Sequence, residues 1–169
     1  MERLVKKYAE KLQSAGLCDA PLVCGFDDEV VWNRSDPLVP ILTDVMARMN
    51  INSLICGEPA EPYRTILKYL VKKNPHTIVP RDCETRTFLH DLPVSRSFSA
   101  EKILGALLRR KSVVTMEGGT VRLVTFGTVS PEQPSVPLSP VCFAAFVLVF
   151  SDYLAHKRKG RTTGEEDAA

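Results

Sequence analysis

The stretch SLICGEPAEPYR, residues 53–64, decides the predicted fold. Residues 51–56 form a short, mostly apolar segment bounded by polar residues or glycine, a pattern typical of a buried parallel strand. Residues 61–73 carry apolar side chains at helical spacing, with Pro62 near their start, so they predict a helix. The loop between the two lies just past the carboxyl end of a strand, where open α/β sheets tend to bind their ligands.

Predicted helices and predicted strands alternate before and after residues 53–64. Capped or amphipathic segments predict helices at residues 2–15, 36–49, 99–110 and 140–157, and short apolar segments predict strands at residues 21–24, 29–32, 76–79, 88–94, 112–116 and 120–126. This alternation predicts an α/β fold in which a mixed β-sheet is covered by helices on both faces. We expect residues 1–157 to form a single domain and residues 158–169, which are polar and small, to form a disordered tail.

The composition narrows the class of protein. A chain of 169 residues with 44% hydrophobic and 25% charged residues is typical of one globular domain. A net charge of +2 is too small to predict binding to nucleic acid or to a membrane surface. The longest apolar stretch, residues 141–150, is half the ~20 residues that a membrane span needs. The five cysteines show no CxxC spacing and the N-terminus has no signal-peptide core, so we expect reduced thiols and a cytoplasmic protein.

From about Asn52 onward, the order of strands, turns and helices resembles that of the class II aldolase/adducin family. In that family a strand carries an H-x-H metal motif, and a Pro-Tyr pair opens the next helix. Here Cys56-Gly57-Glu58 and Pro62-Tyr63 stand in those places. A proline-containing strand segment and a His-Gly turn follow in the family, and here residues 91–94 and Glu117-Gly118-Gly119 match them. The resemblance implies a three-layer class II aldolase/adducin-like domain.

The resemblance also implies a function. Members of the family use a divalent metal, usually zinc, to polarise a substrate carbonyl and to stabilise an enediolate. The chain would then be a divergent lyase or epimerase that acts on a small polar carbonyl compound of the sugar-phosphate kind. Its pocket would lie near Cys56, Glu58, Tyr63 and Glu117, completed by a neighbouring subunit of a homo-oligomer.

The departures from the family concern the metal. The H-x-H positions fall on Cys56 and Glu58, the turn carries Glu117, and no histidine stands at any of the three places. Thiolate and carboxylate are competent zinc ligands, and side chains two apart in a strand point the same way, so Cys56 and Glu58 are candidate metal ligands. The alternative is a buried cysteine beside two surface glutamates, with no cofactor.

The remaining candidate residues lie in the same two segments. Glu117 is a candidate metal ligand or catalytic proton carrier, and Tyr63 a second candidate catalytic residue. Arg64, at the start of the helix, and the turn residues Gly118 and Gly119 are candidates for substrate binding. The structural alternative is that Tyr63 packs inward and the glycines only form a turn. The hypothesis requires the strand at Cys56 and the turn at Gly118 to meet at one cleft.

Two other classes of function remain open. One is a non-catalytic, adducin-like interaction module, which predicts no bound metal. The other is a SAM- or nucleotide-dependent transferase, which predicts a cofactor pocket after an early parallel strand. Residues 24–27, CGFD, and residues 56–58, CGE, each supply only a single glycine for such a pocket.

Overall fold

The computed structural model describes residues 2–26, 28–49, 51–79, 90–110 and 112–127. The helices in this part of the chain are α1 (Glu2–Ser14), α2 (Val39–Arg48), α3 (Tyr63–Lys73) and α4 (Ala100–Leu107). The strands are β1 (Leu22–Phe26), β2 (Val30–Trp32), β3 (Ser53–Gly57), β4 (Thr77–Ile78), β5 (Leu92–Ser95), β6 (Ser112–Glu117) and β7 (Thr120–Gly127). The predicted helix at residues 140–157 and the tail at residues 158–169 lie outside the described residues. None of the helices described is long and apolar enough to cross a membrane.

The seven strands form one mixed sheet in the order β2-β1-β3-β7-β6-β5-β4. Within these ranges only β5 and β6 pair in parallel, and all other neighbouring strands are antiparallel. The prediction of a parallel strand at residues 51–56 is therefore wrong, because β3 is antiparallel to both β1 and β7. An apolar run indicates burial on both faces, and a central antiparallel strand has that burial too when helices cover both faces.

This topology removes the premise of the transferase interpretation. A SAM- or nucleotide-binding turn of that kind follows an early parallel strand. Strand β1, which itself contains Gly25 of the first glycine-containing segment, pairs antiparallel with both β2 and β3. The described early strands therefore do not provide the parallel strand that the interpretation required.

Helices cover both faces of the sheet, as predicted. Side chains that alternate along the strands divide between two hydrophobic clusters, one on each face. The α1–α3 cluster includes Val5, Leu12, Val23, Ile55, Ile66, Leu70, Val114, Val121 and Leu123. The α2–α4 cluster includes Leu22, Leu42, Val45, Leu54, Cys56, Phe98, Ile103, Leu107, Val113 and Val124. Burial of two apolar faces is the main force that holds a sheet and the helices on its two faces together.

Short-range signals set several element ends. The Ser99 hydroxyl accepts the Lys102 N–H at 3.3 Å and caps α4, as predicted. Gly118 and Gly119 have φ angles of 59° and 80°, which the tight hairpin turn between β6 and β7 requires. Asp36 accepts the Leu38 N–H at 2.9 Å, but α2 begins only at Val39, later than predicted, because a turn precedes it.

Strand β5 tolerates a proline inside the sheet. Pro93 predicts an edge strand or a strand end, but β5 lies between β4 and β6. The parallel ladder to β6 begins at Val94, one residue after the proline. The Val94 N–H donates a hydrogen bond to the carbonyl of His76 at 3.0 Å, so hydrogen bonding on the β4 side continues past the proline.

Candidate functional site

The strand at Cys56 and the turn at Gly118 lie at the same end of the sheet. Strand β7 separates β3 from β6, and Gly57 pairs with Leu123 while Glu117 pairs with Thr120. The turn therefore extends from the sheet beyond the carboxyl end of β3. This is the arrangement that the hypothesis of a shared site required of the backbone.

The two faces of the sheet separate the predicted catalytic residues. Cys56 packs in the α2–α4 cluster, and Glu117 accepts the N–H of Phe98, a member of the same cluster, at 3.3 Å. Tyr63, at the start of α3, packs instead against the α1–α3 cluster. The structure therefore brings Glu117 to the face of Cys56 and leaves Tyr63 on the opposite face.

The Cys56 side chain is a buried, uncharged thiol. Only 1% of its surface is exposed. Burial raises the pKa of the Cys56 thiol to about 12, although the nearby charges of Arg122 and Arg34 act to lower it. In the metal-free chain the sulfur therefore keeps its proton at neutral pH.

Arg64 is engaged by the loop that follows β3. Its guanidinium donates to the carbonyl of Pro59 at 3.1 Å and to Asp19 at 2.8 Å. The carboxylates of Glu61 and Glu58 lie 3.6 Å and 3.9 Å from it. These contacts fasten the loop to the connection between α1 and β1. The substrate-binding role of Arg64 stays a prediction, and these carboxylates are its present partners.

The donor set does not fit the zinc ion that the resemblance implies. Within the described ranges, no three His, Cys, Asp or Glu side chains are grouped to hold a metal ion. Cys56 is packed inside the α2–α4 cluster, and Glu58 lies beside the Arg64 guanidinium. The metal-ligand roles predicted for Cys56 and Glu58 therefore find no support in this geometry.

The structure adds polar residues that the sequence did not single out. We call these residues, together with Glu117, the sheet-end group, because they lie near the carboxyl end of β3. Its members are Arg34, Asp36, Thr115, Glu117 and Arg122. Arg122 and Thr115 alternate with residues of the α1–α3 cluster along β7 and β6, so both point to the α2–α4 face. The charges of Arg122, Asp36 and Arg34 all act on the buried Cys56 thiol, which places them around it.

Arg34 and Asp36 form an ion pair at the rim of this group. The Arg34 guanidinium lies 2.9 Å from Asp36 and also donates to the carbonyl of Ala20 at 2.7 Å. Burial alone would raise the pKa of the Asp36 carboxyl, but the N–H of Leu38 and the charges of Arg34 and Arg122 lower it below its usual value. Asp36 is therefore ionised at neutral pH.

We expect Asp36→Asn to give a small, pH-dependent loss of stability. A carboxyl with a lowered native pKa stabilises the fold above its unfolded pKa, and this contribution is lost as the pH falls through the native pKa. At pH 7 the variant should lose about 1 kcal/mol or less, because the Arg34 partner is partly exposed. Urea unfolding at several pH values measures the difference, which should shrink in acid. A difference that does not change with pH would contradict the assignment.

Comparisons with known proteins support the fold. No protein-family model and no curated protein sequence matches the chain. Among solved structures, it is similar to the crystal structure of L-fuculose-1-phosphate aldolase from Thermus thermophilus, with a TM-score of 0.69 over 96% of each chain. The sequences are 14% identical, so this likeness shows an aldolase-like α/β fold and not an activity.

Proposed function

We propose that this chain is a class II aldolase-like lyase or epimerase acting on a small polar carbonyl compound of the sugar-phosphate kind, without a resident metal. One observation carries the proposal. A solvent-exposed carboxylate, Glu117, and a cation, Arg122, lie on one face of the β6–β7 hairpin at the carboxyl end of β3. The fold is similar to that of a sugar-phosphate aldolase, and we infer that a ligand binds at this end of the sheet because the two charges lie there.

The two side chains suit the formation of an enediolate. The Glu117 carboxylate takes the proton from the carbon beside the substrate carbonyl. The electron pair of that C–H bond forms a C=C bond, and the carbonyl pair moves to oxygen, where the Arg122 charge stabilises it. Return of the proton on the other face gives the epimer. A lyase reaches the same enediolate by breaking a C–C bond, with the base taking a hydroxyl proton.

The glycine turn leaves room for a substrate beside Glu117. Apart from the neighbours of each glycine along the chain, no heavy atom of the described residues lies within 4 Å of a Cβ built on Gly118 or Gly119. We therefore keep both glycines in the substrate-binding role. Tyr63 packs on the opposite face, so in this proposal it would act only through the β3–α3 loop or through a neighbouring subunit. A homo-oligomer is part of the proposal, and light scattering on the purified chain measures it.

A non-catalytic interaction module is the second candidate. The residues at the family's metal positions favour this module, because Cys56 is packed in the core and Glu58 lies beside Arg64. Such a module needs the fold but not the chemistry of the sheet-end group. It predicts that no carbonyl compound is turned over under any condition.

The test is proton exchange in heavy water. The chelator-treated protein is incubated in D₂O with a panel of small ketoses and ketose phosphates, including L-fuculose 1-phosphate. Proton NMR then follows both deuterium incorporation beside the carbonyl and C–C cleavage. The proposal expects one or both with a phosphorylated member of the panel. If neither occurs with any compound, the interaction module is favoured; if zinc is required, the metal-free mechanism is wrong.

A further inference from the structure

We propose that Arg122 and Thr115 form a binding site for one oxyanion, a phosphate or carboxylate group of the ligand. The inference deepens the proposed function, on which it rests for the class of ligand, a small anionic carbonyl compound. Its first observation is the Thr115 hydroxyl. This side chain is 1% exposed, and its Oγ1 has no hydrogen-bond partner in the described part of the chain. Buried hydroxyls are rarely left unpaired, so we infer that this hydroxyl bonds an oxygen that the described residues do not supply.

The second observation is the position of Arg122. It lies directly opposite Thr115 on the neighbouring antiparallel strand, and both side chains point to the α2–α4 face. Residues opposite each other in an antiparallel pair have Cβ atoms about 4.5–5.5 Å apart. One ligand oxygen group can therefore contact both the hydroxyl and the guanidinium.

The third observation is that the Arg122 donors are available. Its guanidinium lies over the ring of Phe98, with 5.6 Å from Cζ to the ring centroid. A cation–π contact uses the charge of the guanidinium and consumes none of its five N–H donors. Among the described residues, no carboxylate lies within ion-pair distance of Arg122, and none accepts a hydrogen bond from it. A planar fork of donors held on a buried ring suits a bidentate oxyanion.

The carboxylates near Arg122 in the described part of the chain are engaged by other groups. The Arg122 charge lowers the pKa of Asp36, but the Asp36 carboxylate accepts its hydrogen bonds from Arg34 and from the Leu38 N–H. Glu117 lies two residues from Thr115 on β6, diagonal to Arg122, and accepts the N–H of Phe98. An oxyanion bound by Thr115 and by two of the five Arg122 N–H donors would therefore place the rest of the ligand next to Glu117, the proposed base, and would leave the other Arg122 donors for the enediolate oxygen.

The test measures binding of inorganic phosphate and of acetate to the full chain by calorimetry, in the presence of chelator. We expect Arg122→Gln to weaken the preferred anion about tenfold or more, since a hydrogen bond to a charged group is lost. Arg122→Lys keeps the charge but not the fork, and should lose part of that affinity. Thr115→Val should weaken binding by about two- to tenfold while raising the melting temperature of the free protein, because it removes the unpaired hydroxyl. Arg109→Gln, at an exposed arginine near α4, is the matched control and should leave binding unchanged.

The outcomes separate the inference from the proposed function. Tighter binding of phosphate than of acetate indicates a phosphorylated ligand, and the reverse order indicates a carboxylated one. Either result supports the site if Arg122→Gln removes the binding of the preferred anion. Anion binding without any proton exchange or cleavage would uphold the site and refute the lyase or epimerase. The inference is overturned if neither anion binds at millimolar concentration, or if Arg122→Gln and Arg109→Gln lose affinity equally.

Discussion

Glu117→Gln should lower the rate of proton exchange into the substrate about 10²–10⁴-fold, the usual contribution of a positioned general base. Glutamine keeps the size of the side chain and can still accept the Phe98 N–H, which the carboxylate accepts at 3.3 Å. It cannot take up a proton. The loss should therefore appear in the exchange rate and not in the stability of the fold. Proton NMR in D₂O, on chelator-treated protein, is the measurement.

A matched control separates chemistry from surface charge. Glu101 is an exposed glutamate in the first turn of α4, and Glu101→Gln removes the same charge near the same helix. We expect it to leave the exchange rate within about twofold of wild type, since its carboxylate is not part of the proposed chemistry. An equal loss of exchange rate in the two variants would show that Glu117 acts through its negative charge and not as a base.

Ile55→Ala should lower the free energy of unfolding by about 2–5 kcal/mol, the usual cost of truncating a buried isoleucine. Ile55 is 0% exposed and lies in β3, between its strand partners Val23 and Thr125. Truncation would leave a cavity in the α1–α3 cluster at the centre of the sheet. Because small domains are stable by only about 5–15 kcal/mol, the variant should be visibly less stable in urea.

The control for this prediction lies at the edge of the same sheet. Val30 is 37% exposed at the start of the short edge strand β2. Val30→Ala should change the free energy of unfolding by about 0.5 kcal/mol or less, as surface substitutions usually do. A cost below about 1 kcal/mol for Ile55→Ala, or one no larger than that of Val30→Ala, would contradict the sheet order and the two-sided core.

Much of the fold could be predicted from local pattern. The apolar run into Cys56, the helix that starts at Tyr63, the cap at Ser99 and the glycine turn all have a short-range physical cause. The direction of β3 could not be predicted, because an apolar run reports burial on both faces and carries no information on strand orientation. Only the pairing with β1 and β7 fixes it.

The candidate site was predicted in part. The backbone register brings Cys56 and the Gly118 turn to one end of the sheet, which the order of motifs suggested. Packing decides on which face of the sheet each side chain lies, and it places Tyr63 on the face opposite Glu117. Arg122 had one readable signal, a single arginine among alternating apolar residues of TVRLVTFG, but its buried partner ring and the unpaired Thr115 hydroxyl are tertiary features.

Amide NMR of the chelator-treated chain, titrated with L-fuculose 1-phosphate, tests most directly whether a metal-free ligand site lies at this end of the sheet. We expect saturable shifts concentrated at Arg34, Asp36, Phe98 and residues 115–122, and little change along α1. Shifts confined to the Tyr63 face, or shifts that appear only after zinc is added, would contradict it.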